Sequence, residues 1–383
     1  MGRSASSLIV ILALIAGMAA QASAQQGQFR EIPSNPALQS QGGGVLEVPT
    51  APAPQTGSVD TLPQRALPAP QTGELTIPPR ELRHQEGYEQ ATVTVTDQDG
   101  RYITGLQKSD FKLYVDGVQR GIDFFRQDSA TPVSVGILVD TSGSMDPKLP
   151  QAEAAITAFI QNLSDQDDVF LIAFSSRPFL LEPFTTNHAL VLNRLAVLSA
   201  NGETSIFDSI MAGLLMVRHG RWDKKALLVI TDGMDNTSEA TLDQVVAQAR
   251  RMGVLVYSIG IGNPNSSGTA SIGIGSFSIP VPDPDMVDVA TLQMLSTETG
   301  AKTYVVREVG DGGTLRAACA DISRELRQQY TIGFVAPDAE HGGYRNLRVD
   351  VPTRPDATVR TRKGVEVGAT ESASADDPGA GGP

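Results

Sequence analysis

The apolar positions in the middle of the chain form short continuous runs separated by helical stripes. Runs of this kind, with little period-two alternation, are typical of parallel strands buried on both faces. They are Val133–Val139, Val169–Phe174, Ala226–Thr231, Val254–Gly260 and Lys302–Val306. Between them, apolar residues recur at helical spacing, as in Ala152, Ile156 and Phe159. Strand and helix in repeated alternation predict an α/β fold with a doubly wound, mostly parallel sheet, to which Arg177–Leu181 adds an antiparallel edge strand.

The segments on both sides of this region alternate apolar and polar residues, which is typical of half-buried strands. They are Ala91–Thr96, Phe111–Val115 and Val118–Phe125 on one side, and Tyr330–Ala336, Tyr344–Val351 and Ala357–Thr361 on the other. Neither side alone has enough strands for a stable sheet. We therefore expect one small β-sandwich built from both sides, with the α/β domain inserted between them.

The first residues of the chain have the features of a secretory signal peptide. Arg3 gives a positive start, Leu8–Ala20 is apolar, and Ala22–Ala24 fits a small-residue cleavage site before Gln25. The apolar stretch is shorter than an ordinary membrane-spanning helix, although an uncleaved anchor is the alternative interpretation. We expect an exported protein, periplasmic or extracellular, with no transmembrane segment in its mature chain.

Composition completes the predicted organisation. Pro, Gln, Gly and Ala dominate the segment after the signal peptide, which is typical of a disordered linker, and the last residues are small and acidic. The predicted parts are the signal peptide 1–24, the linker 25–85, N-terminal sandwich strands 86–130, the α/β domain 131–329, C-terminal sandwich strands 330–366 and a disordered tail 367–383.

Charge and cysteine content exclude two classes of function. The net charge of −13 comes without a basic cluster, so nucleic acid is not an expected partner. Cys319 is the only cysteine, which rules out an intrachain disulfide, and its place on the apolar face of a helical pattern predicts a buried core thiol.

Three loops that follow strands or enter helices carry oxygen-bearing side chains. Because ligands of open α/β sheets bind at the carboxyl ends of the strands, we expect these side chains to converge there. The five candidate ligands are Asp140, Ser142, Ser144, Thr204 and Asp232. Hard oxygens of this kind suit Mg²⁺, with Mn²⁺ or Ca²⁺ as alternatives.

Each of these pieces also has an ordinary explanation. The serines after Asp140 could cap a helix, Thr204 or Ser205 could do the same, and Asp232–Gly233 is a common turn dipeptide. Their joint occurrence, each at the right strand or helix end, favours the metal site.

These motifs resemble a known family. Asp140–Met145 with Thr204 and Thr231–Gly233 looks like the metal-ion-dependent adhesion site of von Willebrand factor type A domains, over roughly Thr131–Gln329. The flanks, Val93–Gln127 and Leu326–Gly364, resemble a bacterial "VWFA-related" family of exported proteins. The resemblance implies that the five candidate ligands hold the cation, some through water, and that an acidic group of a partner protein completes its coordination.

The residues themselves favour binding over catalysis. Three of the five candidate ligands are neutral hydroxyls, so the cation would keep positive charge for an Asp or Glu of a partner protein. The alternatives are a Mg²⁺-dependent hydrolase, which needs a positioned base, and a purely structural role in the cell envelope. No histidine lies in the three loops, and Glu203 is the only nearby candidate base, so we expect no enzymatic activity.

One segment departs from the family pattern. Asn263–Met286 is a long Gly-, Ser- and Pro-rich stretch where a short connection would serve, and it leaves its strand at the same sheet edge as the candidate ligands. It is therefore either a spacer or part of a partner-binding rim. The predicted rim residues are Glu203, Phe277, Asp283 and Asp285.

Overall fold

The computed structural model describes residues 78, 80–83, 85–262, 269–274, 277–282, 287–307, 312–337 and 342–367, with side chains in 263–286 left undescribed. The predicted signal peptide, nearly all of the predicted linker and all but the first residue of the predicted tail lie outside the described residues. A four-residue helix, α1 (Arg80–Arg83), lies within the segment predicted as linker.

A six-stranded sheet forms the centre of the fold. Its strands are β5 (Ser134–Asp140), β6 (Asp168–Phe174), β7 (Pro178–Thr185), β8 (Lys225–Thr231), β9 (Leu255–Ile261) and β12 (Thr303–Val306). They lie in the order β12-β9-β8-β5-β6-β7, and all neighbours are parallel except β7, which pairs antiparallel with β6. The parallel sheet with one antiparallel edge confirms the sequence prediction.

Helices cover both faces of this sheet. They are α2 (Leu149–Gln161), α3 (His188–Leu195), α4 (Ile206–Val217), α5 (Leu242–Met252), α6 (Val289–Thr299) and α7 (Gly312–Arg327). Apolar residues of α2, α3 and α7 pack on one face and those of α4, α5 and α6 on the other. Alternate residues of β5 divide between the two cores, Ile137 entering one and Leu138 the other. Burial on both faces explains why the strands lack alternation.

The flanking strands form two four-stranded antiparallel sheets. Their members are β1 (Tyr88–Thr96), β2 (Lys112–Val115), β3 (Val118–Arg120), β4 (Phe124–Gln127), β13 (Tyr330–Val335), β14 (Gly343–Asp350), β15 (Thr358–Arg360) and β16 (Gly364–Val367). The orders β15-β1-β13-β4 and β16-β14-β2-β3 each combine N-terminal and C-terminal strands. Both sheets contribute to one apolar core, so the predicted sandwich built from the two flanks is confirmed.

The α/β domain enters and leaves the sandwich at neighbouring points. The chain passes from β4 to β5 through a short 3-10 turn, Asp128–Ala130, and returns from α7 to β13 across two residues. Gln127, the last residue of β4, pairs directly with Tyr330, the first residue of β13. The inserted domain is thus attached through two adjacent antiparallel strands.

Two elements differ from expectation around the sheet. The Gly-, Ser- and Pro-rich segment 263–286 contains a hairpin of β10 (Thr269–Ile274) and β11 (Phe277–Pro282), which form a two-stranded antiparallel sheet. Helix α3 was not predicted, because its buried apolar residues are only Val191 and Leu195. Within the part of the chain that the structure describes, no helix has the length and apolar content needed to cross a bilayer.

Candidate metal centre

Asp140 is the last residue of β5 and lies fully buried at the carboxyl edge of the sheet. Its Oδ1 accepts a hydrogen bond of 2.8 Å from the backbone N–H of Ser142, and its Oδ2 accepts one of 2.6 Å from the hydroxyl of Thr231. Thr231 ends the adjacent strand β8. These two hydrogen bonds fix the orientation of the carboxylate where β5 and β8 end side by side.

Burial raises the pKa of the Asp140 carboxyl from its ordinary value of 3.8 to about 6. The bonds from Thr231 and Ser142 act in the opposite direction, and the nearby charge of Asp232 adds to the increase. A buried carboxylate beside a second carboxylate is electrostatically costly. A cation placed between them would relieve that cost.

A chain of hydrogen bonds joins the first loop to the third. The hydroxyls of Ser142 and Ser144 lie 3.2 Å apart, and Ser144 Oγ donates to Asp232 Oδ1 at 2.9 Å. Ser142 and Asp232 are buried, whereas Ser144 is partly exposed. The structure thus brings four of the five candidate ligands into one connected group.

Thr204, the fifth candidate, is buried in the second loop against Gly233. A Cβ built on Gly233 would lie 3.3 Å from Thr204 Oγ1, so the hydroxyl faces the loop that follows Asp232. Asn236 holds Thr204 by two bonds of 3.0 Å: its side-chain oxygen accepts from the Thr204 N–H, and its own N–H donates to the Thr204 carbonyl. All three predicted loops therefore meet at one place.

Lys148 also belongs to this group, although it is not one of the predicted ligands. Its Nζ lies 2.8 Å from Asp232 Oδ2, and the two side chains are only 2% and 0% exposed. It is the N-cap residue of α2, where a positive side chain is unfavourable because the helix dipole is also positive there. A lysine at the start of a predicted helix is therefore the sequence feature that could have indicated a buried acidic partner.

The donor set fits a hard divalent cation. Two carboxylates and three hydroxyls offer oxygen atoms alone, as Mg²⁺, Mn²⁺ and Ca²⁺ prefer. Across the described residues, no group of three or more His, Cys, Asp or Glu could form a metal cage. Cation binding here would therefore depend on hydroxyl oxygens as well as on Asp140 and Asp232.

The predicted rim residues are less closely connected. Glu203 is exposed, and its backbone N–H donates to Ser176 Oγ at 3.1 Å. Phe277 begins β11, and nothing of its side chain is described. Asp283 and Asp285 lie outside the described residues. Of the four predicted rim residues, only the position of Glu203, next to Thr204 of the candidate metal centre, is described in full.

Part of the chain matches a known family model. Residues 135–234 match the family model of the von Willebrand factor type A domain, a range that includes all five candidate ligands. An uncharacterized protein of Borreliella burgdorferi is 27% identical over 199 residues, covering 49% of this chain and 57% of that protein. The chain thus spans little more than half the length of this curated relative.

Several solved structures are similar at low sequence identity. BatB from Bacteroides thetaiotaomicron is 20% identical with a TM-score of 0.41, covering 51% of this chain and 99% of that one. A von Willebrand factor type A protein from Catenulispora acidiphila is 13% identical with a TM-score of 0.43, covering 74% of each chain. Proximal thread matrix protein 1 of the mussel byssus, with a zinc-occupied adhesion-site motif, is 14% identical with a TM-score of 0.42, covering 54% and 48%.

Proposed function

We propose that the von Willebrand factor type A domain of this chain is a cation-dependent protein-binding module of an exported protein. The observation that carries the proposal is the 2.9 Å hydrogen bond between Ser144 Oγ and Asp232 Oδ1, which joins two loops 88 residues apart in sequence. Mg²⁺ is the proposed cation, with Mn²⁺ or Ca²⁺ as alternatives. The proposed ligand is an Asp or Glu of a partner protein.

Asp140, Ser142, Ser144, Thr204 and Asp232 would hold the cation. When bound, the cation would supply a positive charge and a coordination position for a carboxylate oxygen. The protein prepares this chemistry by fixing Asp140 through Thr231 and Ser142 before a ligand arrives. Ser144 is partly exposed, whereas the Asp140 and Asp232 carboxylates are buried, so a partner would reach the hydroxyl of Ser144 first.

The surroundings support binding rather than hydrolysis. Of the described histidines, His188 contacts the Asp167 carbonyl at 3.0 Å, before the start of β6, and His219 follows the end of α4. Both positions belong to the edge opposite Asp140. Cys319 is buried, and burial raises its thiol pKa to about 12, so it would be a poor nucleophile. Glu203 is the remaining candidate base, and it is solvent-exposed.

Export is the second part of the proposal, and it rests on the sequence of residues 1–24. The mature protein should begin at Gln25, in the periplasm or outside the cell. Intact-mass measurement of the protein recovered from the envelope and the medium tests this part. Retention of residues 1–24 in that material would overturn it.

Calorimetric titration with Mg²⁺ tests the cation site. Wild-type protein should bind one equivalent, and Asp140→Ala should abolish binding. Asp146→Ala is the matched control, because Asp146 is an exposed carboxylate in the same loop and is not a candidate ligand. Absence of binding to folded wild-type protein would overturn the proposed site.

Partner binding is tested by capture from envelope extract on immobilised protein, with Mg²⁺ and with chelator. Capture should require both Mg²⁺ and an intact Asp140. A partner retained equally by Asp140→Ala would argue for a structural role. Turnover of ester or phosphate substrates that is lost in Asp140→Ala would instead support a hydrolase.

A further inference from the structure

Asp232 is shared between a neutral and a charged partner. Its Oδ1 accepts from Ser144 Oγ at 2.9 Å, and its Oδ2 accepts from Lys148 Nζ at 2.8 Å. One oxygen thus faces the hydroxyls of the candidate metal centre, and the other faces an ammonium group inside the protein. Lys148 and Asp232 are almost completely buried.

We propose that the buried ammonium group of Lys148, paired with Asp232, weakens cation binding at the candidate metal centre. The same positive charge would make the loaded centre more attractive to anions. This inference rests on the proposed function, because it concerns the same cation. Lys148 would contact neither the cation nor the partner. It would act through Asp232, as a positioning and charge-setting residue.

The location of Lys148 is unfavourable for stability alone. Burial of an ammonium group costs free energy unless it is paired, and the start of a helix adds the repulsion of the helix dipole. Replacement of a buried ion pair by apolar residues is often neutral or stabilising. A lysine at this position therefore needs an explanation beyond holding α2 in place, and contact with a candidate ligand provides one.

The charge balance gives that explanation. Asp140 and Asp232 together would neutralise a divalent cation, leaving little attraction for a further carboxylate. The ammonium of Lys148 adds one positive charge beside Asp232, so the loaded centre attracts an anion more strongly than it would without the lysine. The same charge repels the cation itself, so tighter partner binding is obtained at the expense of weaker cation binding.

The fold contains a matched lysine that is remote from this centre. Lys224 Nζ lies 2.8 Å from Asp128 Oδ2, and these side chains are also 2% and 0% exposed. Lys224 precedes β8, whereas Asp232 follows it, so the two ion pairs lie at opposite edges of the sheet. Lys224 also donates to the Leu326 carbonyl at 2.7 Å and serves the junction with the sandwich.

The test compares Mg²⁺ affinity by calorimetry in wild type, Lys148→Gln and Lys224→Gln. Glutamine keeps a hydrogen-bond donor for the carboxylate and removes the charge. Lys148→Gln should bind Mg²⁺ about tenfold more tightly or better, the effect of one unit charge near a divalent cation even at the dielectric constant of water. Lys224→Gln should bind Mg²⁺ as wild type does.

The direction of the change separates the two roles of Lys148. If it only holds Asp232 in place, its loss should weaken Mg²⁺ binding. Circular dichroism checks that the Lys148→Gln variant is folded like wild type. If the folded variant binds Mg²⁺ as tightly as wild type or more weakly, the inference is overturned. Lys148→Arg keeps the charge and should retain the wild-type affinity for Mg²⁺. A tenfold higher Mg²⁺ affinity of this variant would also contradict the inference. The arginine variant remains informative if the glutamine variant does not fold.

A second measurement addresses the anion. Acetate is titrated into the Mn²⁺-loaded proteins while the water-proton relaxation rate is followed, because displacement of water from Mn²⁺ lowers that rate. Lys148→Gln should require several-fold more acetate than wild type, and equal requirements would contradict the charge argument. Failure of wild type to bind any divalent cation would instead overturn the proposed function, and this inference with it.

Discussion

The hydroxyl of Thr231 donates a 2.6 Å hydrogen bond to Oδ2 of Asp140, from the end of one strand to the end of its neighbour. Both residues are fully buried, and 91 positions separate them in sequence. The parallel pairing of β5 with β8 thus sets the position of a candidate ligand directly. Folding of the sheet therefore also positions the carboxylate of the candidate metal centre.

Ionisation of Asp140 should make stability depend on pH. The pKa of its carboxyl is 3.8 in an ordinary environment and about 6 in the folded protein, so between these values the folded state holds the proton more tightly. The unfolding free energy contributed by Asp140 is therefore complete below about pH 4 and is lost as pH rises to about 6. The loss should reach roughly 3 kcal/mol.

Urea denaturation in chelator at several pH values measures this effect, with Asp140→Asn as the variant that cannot ionise. The difference in unfolding free energy between variant and wild type should grow in favour of the variant from pH 4 to pH 6. Saturating Mg²⁺ should restore wild-type stability above pH 6, because it binds the ionised carboxylate. Parallel pH profiles of the two proteins would contradict the prediction.

Two neighbouring hydroxyls should behave differently. Thr204 is a candidate ligand, whereas Ser205, also buried, donates to the Ser175 carbonyl at 2.8 Å. Thr204→Val should lower Mg²⁺ affinity by about tenfold or more, while Ser205→Ala should leave it unchanged and affect only stability. Calorimetry on both variants provides the measurement. Equal losses would show that the loop, rather than the Thr204 hydroxyl, matters.

Asn236 should influence cation binding without being a ligand. It accepts from the Thr204 N–H and donates to the Thr204 carbonyl, so it holds the loop in place. Asn236→Ala should lower Mg²⁺ affinity by roughly tenfold, as loss of an outer-shell partner commonly does. Asn236→Asp keeps the accepting oxygen and adds negative charge, so its affinity should be at least that of wild type. A similar loss in both variants would be inconsistent with this role.

Gly136 should tolerate no side chain. A Cβ at this position in β5 would lie 2.1 Å from Phe170 Cζ and 2.6 Å from Leu227 Cδ2. Gly136→Ala should lower the unfolding free energy by about 1–3 kcal/mol, the usual cost of overpacking. Gly121→Ala is the control, because its Cβ would meet no atom within 4 Å. Thermal or urea denaturation that finds the two variants equally stable would refute this packing.

The hairpin of β10 and β11 should affect partner choice and not the cation. It follows β9, whose end lies at the same sheet edge as the ends of β5 and β8. Replacement of 265–282 by a short Gly-Ser bridge should leave Mg²⁺ affinity unchanged and weaken Mg²⁺-dependent capture of the partner. Undiminished capture would identify the segment as a spacer.

Much of the fold could be predicted because the burial of a strand on one or both faces determines the order of its apolar and polar residues. Strands buried on both faces are continuous apolar runs, and half-buried strands such as β1 alternate. The hairpin β10–β11 was not predicted, although its apolar residues alternate with Ser, Gly and Pro, because Gly and Pro are rare in strands and favoured the interpretation as a loop. Strand β16, of four residues, was also not predicted.

The residues of the candidate site that could be predicted are those with a recognisable spacing in the sequence or a position at the end of a predicted strand. Asp140, Ser142 and Ser144 alternate, and parallel strands bring distant Asp232 to the same edge. Lys148 and Asn236 have no such spacing. Their roles depend on which side chain they meet across a loop, which is decided by tertiary packing.

The adjacent attachment points of the α/β domain also determine how it responds to mechanical load. Tension applied along the chain between β1 and β16 would be carried by the strand pairs of the sandwich. Because Gln127 and Tyr330 are directly paired, such tension reaches the inserted domain only after β4 separates from β13. A load applied to the α/β domain through the proposed partner would therefore be separate from a force on the chain ends, which the sandwich would carry.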